Sequence, residues 1–218
     1  MSAEAAVPVR LPRWFGGVLC ACSLLLLASC GSAGRAPDTD RTPDATQAAA
    51  PDVALVDLYS AGEVATWTTV NDPVMGGASS ANVAFGDGGL VFSGNISLEN
   101  NGGFASARSP EDPAIGRKAA GMRSLRVHAL GDGRTYLVKV NQSGRPFSYI
   151  QRFRTDRGTM RTYDLPVTGF EPVGMRLRPA PEAPRILDPS GISQISVYIL
   201  DEQQGPFELV LRAIDATV

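Results

Sequence analysis

Short polar side chains crowd into residues 67–108: Asn71, Asp72, Ser79, Ser80, Asn95, Ser97, Asn100 and Asn101, with Arg108 closing the stretch. Such amides, hydroxyls and short carboxylates have two uses. They bond their own backbone and stiffen turns, or they converge on a hydroxyl-rich or peptide ligand. Both uses stay open here, and Asn71, Asp72, Ser79, Ser80, Asn95, Asn100, Asn101 and Arg108 are nominated as binding residues.

Other chemistries have weaker footing. There is no G-x-S-x-G motif, and the serines lack a neighbouring base in sequence. The single histidine, His128, cannot build a histidine-rich metal site and has no acidic neighbour in sequence. Carboxylates are scattered from Asp72 to Asp215, and a glycoside hydrolase would need two of them to face each other across a sugar. No cofactor is expected. A structural calcium ion on Asp72, Asp201 or Glu202 is conceivable, although the spacing is not diagnostic. Gly76-Gly77 and Gly102-Gly103 do not sit between a strand and a helix with the spacing of a phosphate cradle.

The elements that must position these residues are short and β-like. Asp87-Gly88 is expected to join Ala81–Phe85 to Leu90–Ser93 as a hairpin, and Asn101-Gly102 to join Asn95–Leu98 to Phe104–Arg108, because both pairs suit turns with positive φ. Asn71-Asp72-Pro73 with Met75-Gly76-Gly77 reads as a third turn. Leu125, Val127 and Ala129 alternate with Ser124, Arg126 and His128, and Tyr136, Val138 and Val140 alternate with Leu137 and Lys139. Gly131-Asp132-Gly133 is expected to close these two runs into a hairpin. Ser148–Arg154, Arg161–Leu165, Val173–Arg178, Ile192–Leu200 and Phe207–Ile214 continue the rhythm, with no convincing amphipathic helix. Many short strands argue for an antiparallel sandwich or barrel, with Pro179–Pro189 suited to a crossover between sheets. Trp67 and Phe104 are expected as buried anchors beneath the glycine turns. A second surface is the outward face of the middle strands, with Arg126, His128, Lys139, Arg152 and Arg154 and with Tyr149 or Tyr198 beside them.

The stretches Asn71-Asp72-Pro73-Val74-Met75-Gly76-Gly77, Phe92-Ser93-Gly94-Asn95 and Ser97-Leu98-Glu99-Asn100-Asn101-Gly102-Gly103-Phe104-Ala105-Ser106, with Trp67 and Ser79-Ser80, resemble the complex I intermediate-associated protein 30 family. The likeness continues more weakly through Ile192–Ile195 and Gln204–Leu209. The resemblance implies an all-β fold, an antiparallel jelly-roll β-sandwich similar to galactose-binding and carbohydrate-binding modules, and a role as a binding or assembly module. It implies no settled catalytic residues.

The amino end reads differently. Arg10 and Arg13 precede an apolar run from Val18 to Ala28, and Leu27-Ala28-Ser29 stands directly before Cys30. This is the pattern of a lipoprotein signal peptide over residues 1–29, with lipidation at Cys30. Cys20 and Cys22 fall within that segment, which leaves no disulfide for the mature chain. Residues 30–51 are small, polar and proline-containing and read as a flexible tether, and residues 52–218 as the β-sandwich domain. Taking Glu4, Arg10 and Arg13 from the 20 basic and 22 acidic residues leaves 18 and 21, so the mature chain carries about −3 and has no attraction for nucleic acid. The expected partners are a membrane, through the lipid, and a protein or a glycan. The expected place is the bacterial cell envelope. The expected function is non-catalytic binding, with a carbohydrate-active enzyme as the alternative.

Overall fold

The structure, a computed structural model, describes residues 52–218; the expected signal peptide and the whole of the expected tether, Cys30 included, lie outside them. Alternation of period two builds the domain. The strand β6 (Ser124–Leu130) buries Leu125, Val127 and Ala129 and turns Arg126 and His128 outward, as its sequence pattern requires.

Two six-stranded antiparallel sheets result. The first runs β3 (Ser80–Gly86), β4 (Gly89–Ile96), β12 (Gly205–Thr217), β6, β9 (Met160–Pro166), and β1 (Val53–Asp57) also pairs with β12. The second runs β10 (Glu171–Val173), β8 (Ser148–Arg154), β7 (Thr135–Gln142), β11 (Ile192–Ile199), β5 (Ala105–Arg108), β2 (Thr68–Asn71). Two short α-helices, α1 (Ala61–Val64) and α2 (Ala114–Ala119), and several 3-10 turns lie among the connections, and no helix of the described residues is long and apolar enough to cross a membrane. The core lies between the sheets, where Phe92 meets Phe207 edge to face at 4.9 Å beside Leu125, Tyr136, Tyr149 and Ile195. Each such side chain contributes roughly 1.5–3 kcal/mol by leaving water. Trp67 is 5% exposed and belongs to this core, as expected; Phe104 is only half-buried and packs on the other side of the second sheet.

The Asp87-Gly88 hairpin forms as expected: φ is 50° and 71° at the two residues, and Gly86 pairs with Gly89. Three expected connections are corrected. Asn101-Gly102 makes no hairpin, because β4 belongs to the first sheet and β5 to the second. Asn100 and Asn101, at φ 55° and 57°, instead bend the chain from one sheet to the other. Gly131-Asp132-Gly133 likewise carries the chain from β6 in the first sheet to β7 in the second. The Pro179–Pro189 segment, expected to cross between sheets, returns the chain from β10 to β11 within the second. The expected strand Val173–Arg178 also stops short. β10 ends at Val173, and Met175–Leu177 form a 3-10 turn in which Arg176 and Leu177 have φ of 55° and 56°.

Candidate functional site

Asp72 explains why polar residues cluster in the two glycine-rich loops. It follows β2 at the head of a 3-10 turn, Asp72–Met75, that ends on Gly76 at φ 90°. Its carboxylate is 1% exposed and accepts four hydrogen bonds. Oδ1 accepts from the Ser79 amide at 2.8 Å. Oδ2 accepts from the Ser79 hydroxyl at 2.5 Å, the Gly103 amide at 2.6 Å and the Phe104 amide at 3.2 Å. The Ser79 hydroxyl in turn accepts from the Ser97 amide at 3.0 Å. Burial alone would raise the Asp72 pKa, but the bonds from Ser79, Gly103 and Phe104 outweigh it and hold the carboxyl below its ordinary range. Gly77 and Gly102 are required by the same packing, since a Cβ would fall 2.5 Å from the Asp72 carboxyl at the first and 2.6 Å at the second.

The nominated residues therefore separate. Asp72 and Ser79 are turned inward as the clasp between the loops. Asn71 donates to the Ala81 carbonyl at 3.2 Å, while its own Oδ1 is buried and finds no partner among the described residues. Ser80 and Asn95 are exposed where they pair at the ends of β3 and β4, and Asn100 and Asn101 are exposed on the loop that follows β4. Arg108 stands apart at the end of β5, with its guanidinium 5.6 Å from the centre of the Tyr198 ring. Of the carboxylates considered for calcium, Asp72 is used by the clasp and Asp201 is held by Arg152 at 2.7 and 2.9 Å. Among the described residues no three side chains of metal-ligand type gather.

The outward face of the second sheet carries a second apolar cluster, formed by Leu137, Ile150, Val173 and Tyr198 with Phe104, Leu177 and Leu200 against it. A cleft of about 330 Å³ opens over it. Phe104, Leu177, Tyr198 and Leu200 supply its apolar lining, and Arg108, Lys139 and Arg176 its charge. Register explains the placement. Arg108 and Lys139 both pair with Ser196, one from each side, so they flank it in one row across β5, β11 and β7. Ser106, Tyr198 and Leu137 form the adjacent row. The Met175–Leu177 turn brings Arg176 and Leu177 to the cleft, using two left-handed residues that are not glycine. Burial, and then the neighbouring Arg108, hold the Lys139 ammonium below the usual lysine range.

The second surface expected from sequence divides between the sheets. Arg126 and His128 lie on the first, where Arg126 pairs with Asp52 and with Asp164 at 3.0 Å. His128 Nε2 meets Asp215 at 2.7 Å and its Nδ1 meets the Thr162 hydroxyl at 2.9 Å, which supplies the acidic partner missing from its own strand. Lys139, Arg152 and Tyr198 lie on the second sheet, whereas Tyr149 is in the core. Arg176, Leu177 and Leu200 were not foreseen. The available signal was Leu137 and Ile150, apolar residues at outward positions of otherwise alternating strands.

Two antiparallel sheets packed in this way make the protein a jelly-roll sandwich of the kind found in carbohydrate-binding modules. Among solved structures, a family 11 carbohydrate-binding module of the cellulosomal cellulase Lic26A-Cel5E of Clostridium thermocellum matches with a TM-score of 0.53 and 13% identity, over 77% of this chain and 95% of that one. A family 11 module from Clostridium thermocellum in complex with a β-1,3-1,4-mixed-linked tetrasaccharide matches with a TM-score of 0.50 and 13% identity, over 73% and 94%. The chain itself belongs to the complex I intermediate-associated protein 30 family, whose sequence model matches residues 56–211. No curated protein sequence matches it.

Proposed function

We propose that this chain is a non-catalytic binding module that takes a glycan in the cleft on the outward face of its second sheet, and that a lipid on Cys30 holds it at the bacterial cell envelope. The observation that carries the reading is the apolar cluster beneath that cleft, since an outward sheet face normally meets water with polar side chains. A floor of Tyr198, Leu177 and Leu200 suits the apolar face of a sugar ring. Among the described residues no carboxylate lines the cleft, so the pair a glycoside hydrolase would use is not placed there. The likeness to carbohydrate-binding modules supports the fold on which this reading rests, while the family's name, with its association with complex I intermediates, keeps a protein partner in view.

The test is binding of the full chain to a panel of immobilised oligosaccharides. Phe104→Ala combined with Leu200→Ala should abolish retention with little loss of thermal stability, because neither residue belongs to the main core. Asn100→Gly with Asn101→Gly keeps the left-handed backbone and should leave retention intact. Loss of binding in the asparagine variant alone would move the site to the loops. Turnover of a glycan that a carboxylate-to-amide change removes would make the protein an enzyme.

A further inference from the structure

We infer that the ligand of this cleft is an acidic oligosaccharide, whose carboxylate is held between Arg108 and Lys139 while its ring faces lie on the apolar floor. The inference rests on the cleft being the ligand site. Its basis is a charge imbalance: a chain of net charge −2 places three cations, Arg108, Lys139 and Arg176, around one opening of about 330 Å³. Among the described residues none of the three has a carboxylate partner. Two acidic groups carried on or next to this sheet are unsuited to the task. Asp201 is committed to Arg152, and Glu171 stands on the edge strand β10, two strands from Lys139.

Geometry makes the imbalance specific. Because Arg108 and Lys139 flank Ser196 in one row, their Cβ atoms are roughly 10 Å apart, two inter-strand spacings. Both side chains are long enough to converge on a single anion between them. Ser196, which lies between them, is buried and uncharged, so no acidic side chain of that row competes for the two cations. The like charges repel without a ligand, and burial adds to the cost. The attraction of an anion in the cleft offsets both.

A sugar fits better than an acidic peptide because of where the cleft sits. An extended peptide gains much of its affinity where it can pair with a free strand edge. Here the floor is β7, β11 and β5, and each of these strands is paired on both sides, so its backbone groups are already used. Recognition must come from side chains alone, which is how apolar ring faces and a carboxylate are addressed. The volume lies at the small end of ligand sites, about 300–1,000 Å³.

The experiment titrates the full chain with tetragalacturonate, with a neutral mixed-linkage β-glucan tetrasaccharide and with an oligoglutamate peptide, following backbone NMR shifts and calorimetric affinity. Tetragalacturonate should shift the resonances of Lys139, Arg108 and Tyr198 and should bind more weakly as salt rises. Lys139→Gln and Arg108→Gln should each weaken it at least about tenfold, and Lys139→Arg should restore much of the loss. Equal affinity for the neutral glucan, or indifference to both glutamine variants, would overturn the acidic ligand and leave the cleft as a glycan site. Peptide binding in the cleft with no response to either sugar would overturn it in favour of a protein partner. If no probe moves the cleft resonances, the acidic ligand and the glycan site fall together.

Discussion

Replacing Asp72 by asparagine keeps the shape of the side chain and removes its charge, which makes the substitution a clean measure of the loop clasp. The amide has one acceptor where the carboxylate had two. Its cheaper orientation keeps the carbonyl at the Oδ2 position, facing the Ser79 hydroxyl, Gly103 and Phe104, and turns the NH₂ toward the Ser79 amide. One buried N–H then loses its partner, at about 1–3 kcal/mol. The three remaining bonds lose their charge assistance, at roughly 1 kcal/mol each. Relief from burying a charge offsets part of this, so the expected net loss is about 3 kcal/mol, or a fall in Tm of about 10 °C for a domain of this size. The pH dependence provides an independent check. The folded carboxyl has a pKa below its unfolded value, so its stabilisation is present above about pH 4 and is lost as pH falls through the folded pKa. Melting curves of wild type and Asp72→Asn should therefore differ at neutral pH and converge in acid. A Tm within about 2 °C of wild type at pH 7 would refute the clasp. So would a difference that stays constant into strong acid.

Two further outcomes are expected. Trp67→Ala removes a core ring and should cost about 3–5 kcal/mol in denaturant titrations, and an unchanged midpoint would mean that the ring contributes no packing. Mass spectrometry of the membrane fraction should find Cys30 acylated, and a Cys30→Ser chain should remain unprocessed and unacylated; a variant still processed and acylated identically would rule out the assignment.

The strands were the most legible part of the chain, because a two-residue period is a local property. Ser124–Leu130 and Ser148–Arg154 occur with the same ends that alternation suggests. Partners are not local. Gly131-Asp132-Gly133 and Asn101-Gly102 have the composition of hairpin turns, yet each joins strands of opposite sheets, and what decides this is packing across the sandwich. The clasp was half legible: Asp72 and Ser79 were singled out as polar residues, but whether they face a ligand or each other depends on burial, which linear spacing does not contain. The cleft was hidden for a related reason. Arg108, Lys139 and Tyr198 come from three separate stretches and meet only through the register of β5, β7 and β11, while Arg176 reaches them through a left-handed turn where a strand was expected.

The thirteen-residue strand β12 sets the order in which the first sheet can be completed. It pairs with β1, β4 and β6, so the β3–β4 ribbon and the β6–β9 ribbon have no contact within their sheet until it arrives. Among the described strands it is the last in chain order. The residues that close it against β1 are separated from that strand by nearly the whole domain, so the pairing joins distant parts of the chain. A sheet whose two ribbons are joined only through so distant a pairing completes itself slowly, because the long loop must close before the contact rewards it.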